Sequence, residues 1–273
     1  MHRAASSPSS FRHLLFALAT AAAMAPALAQ VDVGKSSSLR TLVPAETLEQ
    51  AAQQQYGQML QQAAAKGALA KAGDPQLERL RAIAQRLIPQ AMAWNPRARD
   101  WKWEVNLIGS KDVNAFCMPG GKIAFFTGLL AQIQPSDDEI AMVMGHEMAH
   151  ALREHSREQL AKNQATSIGI RLGASLLGLG DVGTAAANLG GQLLSLKFSR
   201  SDETDADLVG LELAARAGYN PQAAVSLWEK MGRVTGSGGV GFLSTHPTGP
   251  DRIRILQSNV PKVQGLYQQA RRN

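Results

Sequence analysis

The run His146-Glu147-Met148-Ala149-His150 sets two histidines four residues apart, with a glutamate directly after the first. Four residues along an α-helix return to nearly the same face, so both imidazoles can reach one cation. Glu147 then stands beside them, placed to act as a base on a water. This is the pattern of a helix that hydrolyses peptide bonds with zinc. The bland alternative is a core helix whose histidines only form hydrogen bonds. That alternative buries a glutamate without a partner, which is costly.

Zinc in a catalytic site usually takes three protein ligands and keeps one position open, so a third ligand must come from elsewhere in the chain. In Ser199-Arg200-Ser201-Asp202-Glu203-Thr204-Asp205-Ala206-Asp207, Glu203 and Asp207 lie four apart on one face of a predicted helix. Glu203 can complete the coordination while Asp207 accepts an imidazole N–H and fixes that ring. A solvated acidic first turn is the competing reading. His155 falls about 140° round a continued helix from His150 and is excluded as a ligand. His246 has several open roles: leaning over the cation, stabilising an oxyanion, filling the open position at rest, or capping a helix that begins near Pro250. Arg252 either binds a carboxylate or a substrate carbonyl, or pairs with an acid in the core.

These residues need elements to hold them. Ser136-Asp137-Asp138-Glu139 has capping-box spacing, which predicts a helix from near Asp137 through the histidines. Ile140, Val143, Met144, Ala151 and Leu152 give that helix an apolar surface, and Gly145 and Ala149 leave room for close packing. Ser201 to Ala217 reads as a second helix, ended by Gly218. Upstream, Ala45 to Lys66 repeats apolar residues at helical spacing, and Asp74-Pro75 opens a helix that runs to Pro89. Alternation from Trp101 to Ile108 predicts a half-buried strand, and Pro119-Gly120-Gly121 predicts a hairpin between Asn114-Ala115-Phe116 and Lys122-Ile123-Ala124-Phe125-Phe126. The expected fold is α+β, mostly helical, with a small antiparallel sheet beside the histidine helix. Gly121, Lys122, Ile123, Ala124 and Phe125 are expected to form an edge on which an extended substrate adds a strand, unless a loop covers it.

The 273 residues, 45% hydrophobic and 18% charged, suit a globular protein with a core of good size. The formal charge is +6, and without Arg3 and Arg12 the balance is 26 basic against 22 acidic residues, or +4. That is too weak to indicate nucleic acid. The first 29 residues hold those arginines, no acid and an apolar run from Leu14 to Met24, then Ala27-Leu28-Ala29. They read as a cleavable secretory signal, with a mitochondrial presequence as the alternative. A flexible leader over 30–44 and a single domain over 45–273 follow. The one cysteine, Cys117, is not at the cleavage point, so a lipoprotein is not expected, and it reads as a small buried residue. Residues 167–196 are apolar and glycine-rich but broken by Arg171 and Asp181. They suit two short packed helices, with peripheral membrane contact left open.

Asn114-Ala115-Phe116 with Pro119-Gly120-Gly121, His146 to His150, Glu203 to Asp207, and His246-Pro247 with Arg252-Ile253 occur in this order. Together they resemble the gluzincin peptidases of the family that includes the prenyl-protein (CAAX) peptidases, the membrane stress peptidase HtpX and soluble periplasmic relatives. The likeness spans about Ala45 to Leu256. It implies that His146, His150 and Glu203 bind one zinc ion per chain and that Glu147 is the catalytic base. The membrane members carry transmembrane helices around the core, and some periplasmic members extend into helical repeats. Neither is expected here, which places the chain with the soluble periplasmic branch. The implied function is cleavage of unfolded or misassembled envelope proteins. A chaperone or assembly factor with a largely closed zinc site is the alternative. A purely structural zinc site fits less well, since such sites commonly use four protein ligands, often cysteines.

Overall fold

The computed structural model describes residues 31–164, 193, 196–235, 242–246 and 251–272. The proposed secretory signal, nearly all of 167–196, the glycine-rich stretch 236–241 and residues 247–250 lie outside the described residues.

Nine α-helices are described: α1 (Ala45–Ala65), α2 (Pro75–Leu87), α3 (Thr127–Ile133), α4 (Asp137–Leu152), α5 (His155–Gln164), α6 (Arg200–Arg216), α7 (Ala223–Thr235), the single turn α8 (Phe242–Thr245) and α9 (Arg252–Ala270). The strands are β1 (Glu104–Ile108), β2 (Ala115–Met118) and β3 (Lys122–Phe126). The α+β expectation therefore holds, with helix dominant. No helix among the described residues is long and apolar enough to cross a membrane.

Helix α4 begins where the sequence indicates. The Ser136 hydroxyl accepts from the Glu139 amide, and Glu139 Oε2 accepts from the Ser136 amide at 2.8 Å. Helix α6 carries the same device, with Ser199 and Asp202 as the reciprocal pair. The two helices then meet backbone to backbone through glycines. A Cβ on Gly145 would lie 2.8 Å from the Gly210 carbonyl oxygen, and one on Gly210 would lie 2.6 Å from the His146 amide nitrogen. Helix α2 starts with the Asp74 carboxylate accepting from the Gln76 and Leu77 amides. It buries Leu77, Leu80, Ile83, Ala84 and Leu87 in the same core that contains much of α4 and α6.

The sheet differs from expectation. Its order is β1-β3-β2, with β1 and β3 parallel and β2 and β3 antiparallel. The hairpin is present, and Gly120 and Gly121 adopt φ of +81° and +77°, a region that favours glycine. Strand β3 is central, however, and its hydrogen-bonding edges are taken on both sides. Gly121, Lys122, Ile123, Ala124 and Phe125 thus cannot form the substrate edge. The physical reason is burial: Ile123, Ala124 and Phe125 are fully inaccessible, as in a strand covered on both faces. Lys122 is buried as well, and its ammonium pairs with Glu104 at 2.7 Å across the parallel register.

Candidate active site

Helix α4 supplies His146, Glu147 and His150, α6 supplies Glu203 and Asp207, and the residue after α8 supplies His246. All six are buried. His146, His150, Glu203 and His246 each offer a ligand atom, and these atoms lie within 4.8 Å of one another. His150 Nε2 is 3.1 Å from His146 Nε2, and His246 Nδ1 is 3.0 Å from Glu203 Oε1 and 3.3 Å from His146 Nε2. Each ring is seated. Phe198 stacks on His150 with centroids 3.9 Å apart, and Phe242 stacks on His246 at 4.2 Å.

The outer contacts fix the ligands. His146 Nδ1 lies 3.0 Å from Asp207 Oδ1, which leaves Nε2 turned into the cluster. Arg252 forks onto Asp207 at 2.5 and 2.7 Å and donates to Glu203 Oε2 at 3.1 Å. Its guanidinium also lies over the Trp228 ring, 3.4 Å from the centroid. Arg252 therefore pairs with acids in the core and organises the acidic face of α6. Glu203 and Asp207 are not a solvated first turn.

The donor set fits a divalent cation. Glu147 Oε1 is buried without a hydrogen-bond partner, which is costly unless something polar is held beside it. The site also buries three carboxylates, Glu147, Glu203 and Asp207, against one guanidinium, Arg252. With Glu203 and Asp207 both facing Arg252, the site keeps a net negative charge that favours a bound cation.

A model of the peptidase family M48 matches residues 74–260. The chain belongs to peptidase family M48. Zinc is the metal of this family, and two imidazoles with a carboxylate are a usual catalytic set for it. The chain is 40% identical over 168 residues to the mitochondrial metalloendopeptidase OMA1 of Schizosaccharomyces pombe, a match covering 60% of this chain and 49% of that protein. It is 27% identical over 207 residues to metalloprotease LoiP of Escherichia coli, covering 74% of this chain and 78% of that one. A putative beta-barrel assembly-enhancing protease of Vibrio cholerae is 32% identical over 157 residues, covering 54% and 32%. The match thus spans about half the length of the Schizosaccharomyces pombe relative.

In this M48 site the electrostatics suit the chemistry. Burial lowers the pKa of His146 and pushes that of His150 well below the ordinary imidazole value, so both rings are neutral, as metal ligation requires. Burial pushes the Glu147 carboxyl up to about 7, the range in which a group both takes and returns a proton near neutrality. Burial would also raise Glu203 and Asp207. For Glu203, hydrogen bonds from His150 and His246 more than offset it. For Asp207, the charge of Arg252 does so first, and both carboxyls lie below their usual range.

A cleft of about 50 Å³ is lined by Glu147, His150 and His246 and by Asn114 to Pro119. The strand along the cleft is therefore β2, an edge of the sheet, and none of residues 121–125 lines it. The hairpin is as the sequence indicates, but its edge arm is β2 and not 121–125. Cys117 on β2 is buried, as expected. Sequence reasoning also missed His155. Helix α4 stops at Leu152, so the angle computed for a continued helix does not apply, and His155 Nδ1 lies 3.0 Å from His150 Nδ1.

Proposed function

We propose that this protein is a zinc-dependent endopeptidase that cleaves unfolded or misassembled proteins of the bacterial envelope, working in the periplasm after removal of a secretory signal. The carrying observation is Glu147, a buried carboxyl whose Oε1 has no hydrogen-bond partner and lies 3.6 Å from His246 Nε2, beside four converging ligand atoms. His146, His150 and Glu203 would hold the zinc, which when bound supplies a Lewis acid for the scissile carbonyl and the attacking water. Glu147 takes a proton from that water as its oxygen adds to the carbonyl carbon, and delivers the proton to the leaving amine nitrogen as the C–N bond breaks. Asp207 and Arg252 keep the imidazole and carboxylate ligands in place. An extended substrate can add a strand to the β2 edge, along the cleft. The signal pattern over 1–29 supports the location, and the Vibrio cholerae relative, a putative beta-barrel assembly-enhancing protease, supports a substrate in the envelope.

Glu147→Gln tests the assignment. It should keep one zinc per chain and the parent's fold while cleaving an unfolded protein about 10²- to 10⁴-fold more slowly. Parent-level cleavage by the zinc-loaded variant would remove Glu147 from the mechanism.

A second reading rests on His246. It enters the ligand cluster, and with it the set has four protein ligands, the number of a closed site. At about 50 Å³ the cleft beside His246 has room for a few waters, so a peptide along β2 needs it to widen. A chaperone or assembly factor with a largely closed site is the function that this arrangement supports. It predicts client binding by a chain that cuts only when His246 is displaced or removed.

A further inference from the structure

The two imidazoles of α4 are supported in different ways: His146 meets a carboxylate directly, whereas His150 meets another histidine. We propose that His155 is the positioning residue for His150, accepting its Nδ1–H and passing the load to Asp205, so that His150 presents Nε2 to the zinc. The inference rests on the reading of His150 as a zinc ligand.

His155 is buried, and its Nδ1 lies 3.0 Å from His150 Nδ1 with the rings nearly perpendicular. Its other nitrogen, Nε2, is 3.4 Å from Asp205 Oδ2. Asp205 is held in turn by the Arg153 guanidinium, whose Nε reaches both carboxylate oxygens at 3.1 and 2.9 Å. Arg153 also donates to the Gly34 carbonyl. A ligand nitrogen needs its lone pair, so zinc at His150 Nε2 requires the proton on Nδ1. That N–H must then donate to His155 Nδ1, whose own proton sits on Nε2 and points at Asp205. One orientation of protons satisfies every member from His150 to Arg153.

The backbone is shaped to permit this contact. Glu154 adopts φ of +61°, uncommon for a residue with a Cβ, and this breaks the helix after Leu152 so that α5 restarts at His155. Arg40 pairs with the Glu154 carboxylate at 2.8 Å, and Arg157 pairs with it also. Without the break, His155 would point about 140° away from His150. Backbone strain of this kind persists where surrounding contacts over-determine it, commonly at functional sites.

Zinc affinity, measured by chelator competition on the whole chain, tests the inference with three substitutions. Asn at 155 places its amide oxygen near the position of Nδ1, whereas Gln places its amide near Nε2. His155→Leu should lower zinc affinity about 10- to 100-fold, the usual loss when such support is removed. His155→Asn should stay within a few-fold of the parent, and His155→Gln should behave like the Leu variant. The absorption bands of the Co²⁺-loaded Asn variant should match the parent's, and those of the Gln variant should shift. Equal zinc affinity in all variants overturns the proposal, as does an Asn variant no better than Gln. Retention by Gln alone would assign His155 to Asp205 instead. If the Leu variant does not fold, the Asn and Gln pair still decides. A parent that binds no zinc, or a His150→Ala variant that binds it normally, would defeat the underlying reading of His150 and not this step alone.

Discussion

Helices α4 and α6 meet through Gly145 and Gly210, start from capping boxes, and carry His146, Glu147, His150, Glu203 and Asp207 on facing surfaces. The opposite wall of the site is built otherwise. There His246 follows a single helical turn, tied by the Phe242 amide to the Val113 carbonyl at 2.7 Å and by the His246 amide to the Phe242 carbonyl at 2.9 Å. On the first wall, backbone contact sets the distance between ligands, so side-chain motion has little to change. On the second, one stacked ring and a few hydrogen bonds decide whether the fourth ligand position is filled. On the proposed reading, cation binding belongs to the helix pair and access to the His246 turn.

The largest expected effect separates these roles. If His246 closes the site, His246→Ala raises cleavage of an unfolded protein. If it stabilises the tetrahedral intermediate, the same change lowers turnover by about a hundredfold, the typical loss of an oxyanion donor. Steady-state cleavage gives opposite signs for the two roles, and the geometry favours an increase. Unchanged cleavage would make this wall a passive support and end the contrast.

Next comes the helix contact. Gly210→Ala puts a methyl 2.6 Å from the His146 amide nitrogen, against backbone that cannot yield. It should destabilise the chain by about 1–3 kcal/mol, as overpacking does, and lower zinc affinity with it. Gly232→Ala, in α7 with open space around it, should instead stabilise by about 0.4–1 kcal/mol. Urea unfolding of the two variants checks both signs, and equal effects would show that the close approach is not what joins the helices.

The smallest effect concerns the start of α4, away from the histidine cluster. Burial raises the Glu139 carboxyl, but Lys230 at 2.6 Å, the Ser136 amide and the Ser226 hydroxyl more than offset it, so its pKa lies below the usual 4.5. A depressed carboxyl adds stability that is complete well above pH 4.5 and is lost as pH falls through the folded-state value. Glu139→Gln should thus be less stable than the parent at pH 7, with the gap narrowing below pH 4.5. A gap independent of pH would show that the Glu139 charge contributes nothing.

The contrast between the walls also explains what the sequence could disclose. His146, His150, Glu203 and Asp207 were legible because each pair sits at a four-residue step on one helix, and Ser136 and Ser199 mark where those helices begin. His155 and Asp205 were not. Their contact depends on a left-handed turn at Glu154, where no glycine or asparagine signals the break. The order of the sheet was missed for a related reason. An edge position for 121–125 follows only if the strands pair in chain order, whereas the unbroken apolar run Ile123-Ala124-Phe125-Phe126 marks a central strand. His246 was legible as a candidate, but its place among the ligands depends on α8 and the stacking of Phe242, which spacing does not encode.

The α4–α6 pair is proposed to hold one zinc ion through His146, His150 and Glu203. Zinc stoichiometry and affinity of the purified chain, compared with Glu203→Gln and with Asp202→Asn as a control from the same helical turn, test it most directly. One tightly held zinc is expected in the parent and in Asp202→Asn, and greatly weakened binding in Glu203→Gln. A parent that holds no zinc, or a Glu203→Gln variant that binds it as tightly as the parent, would contradict the claim.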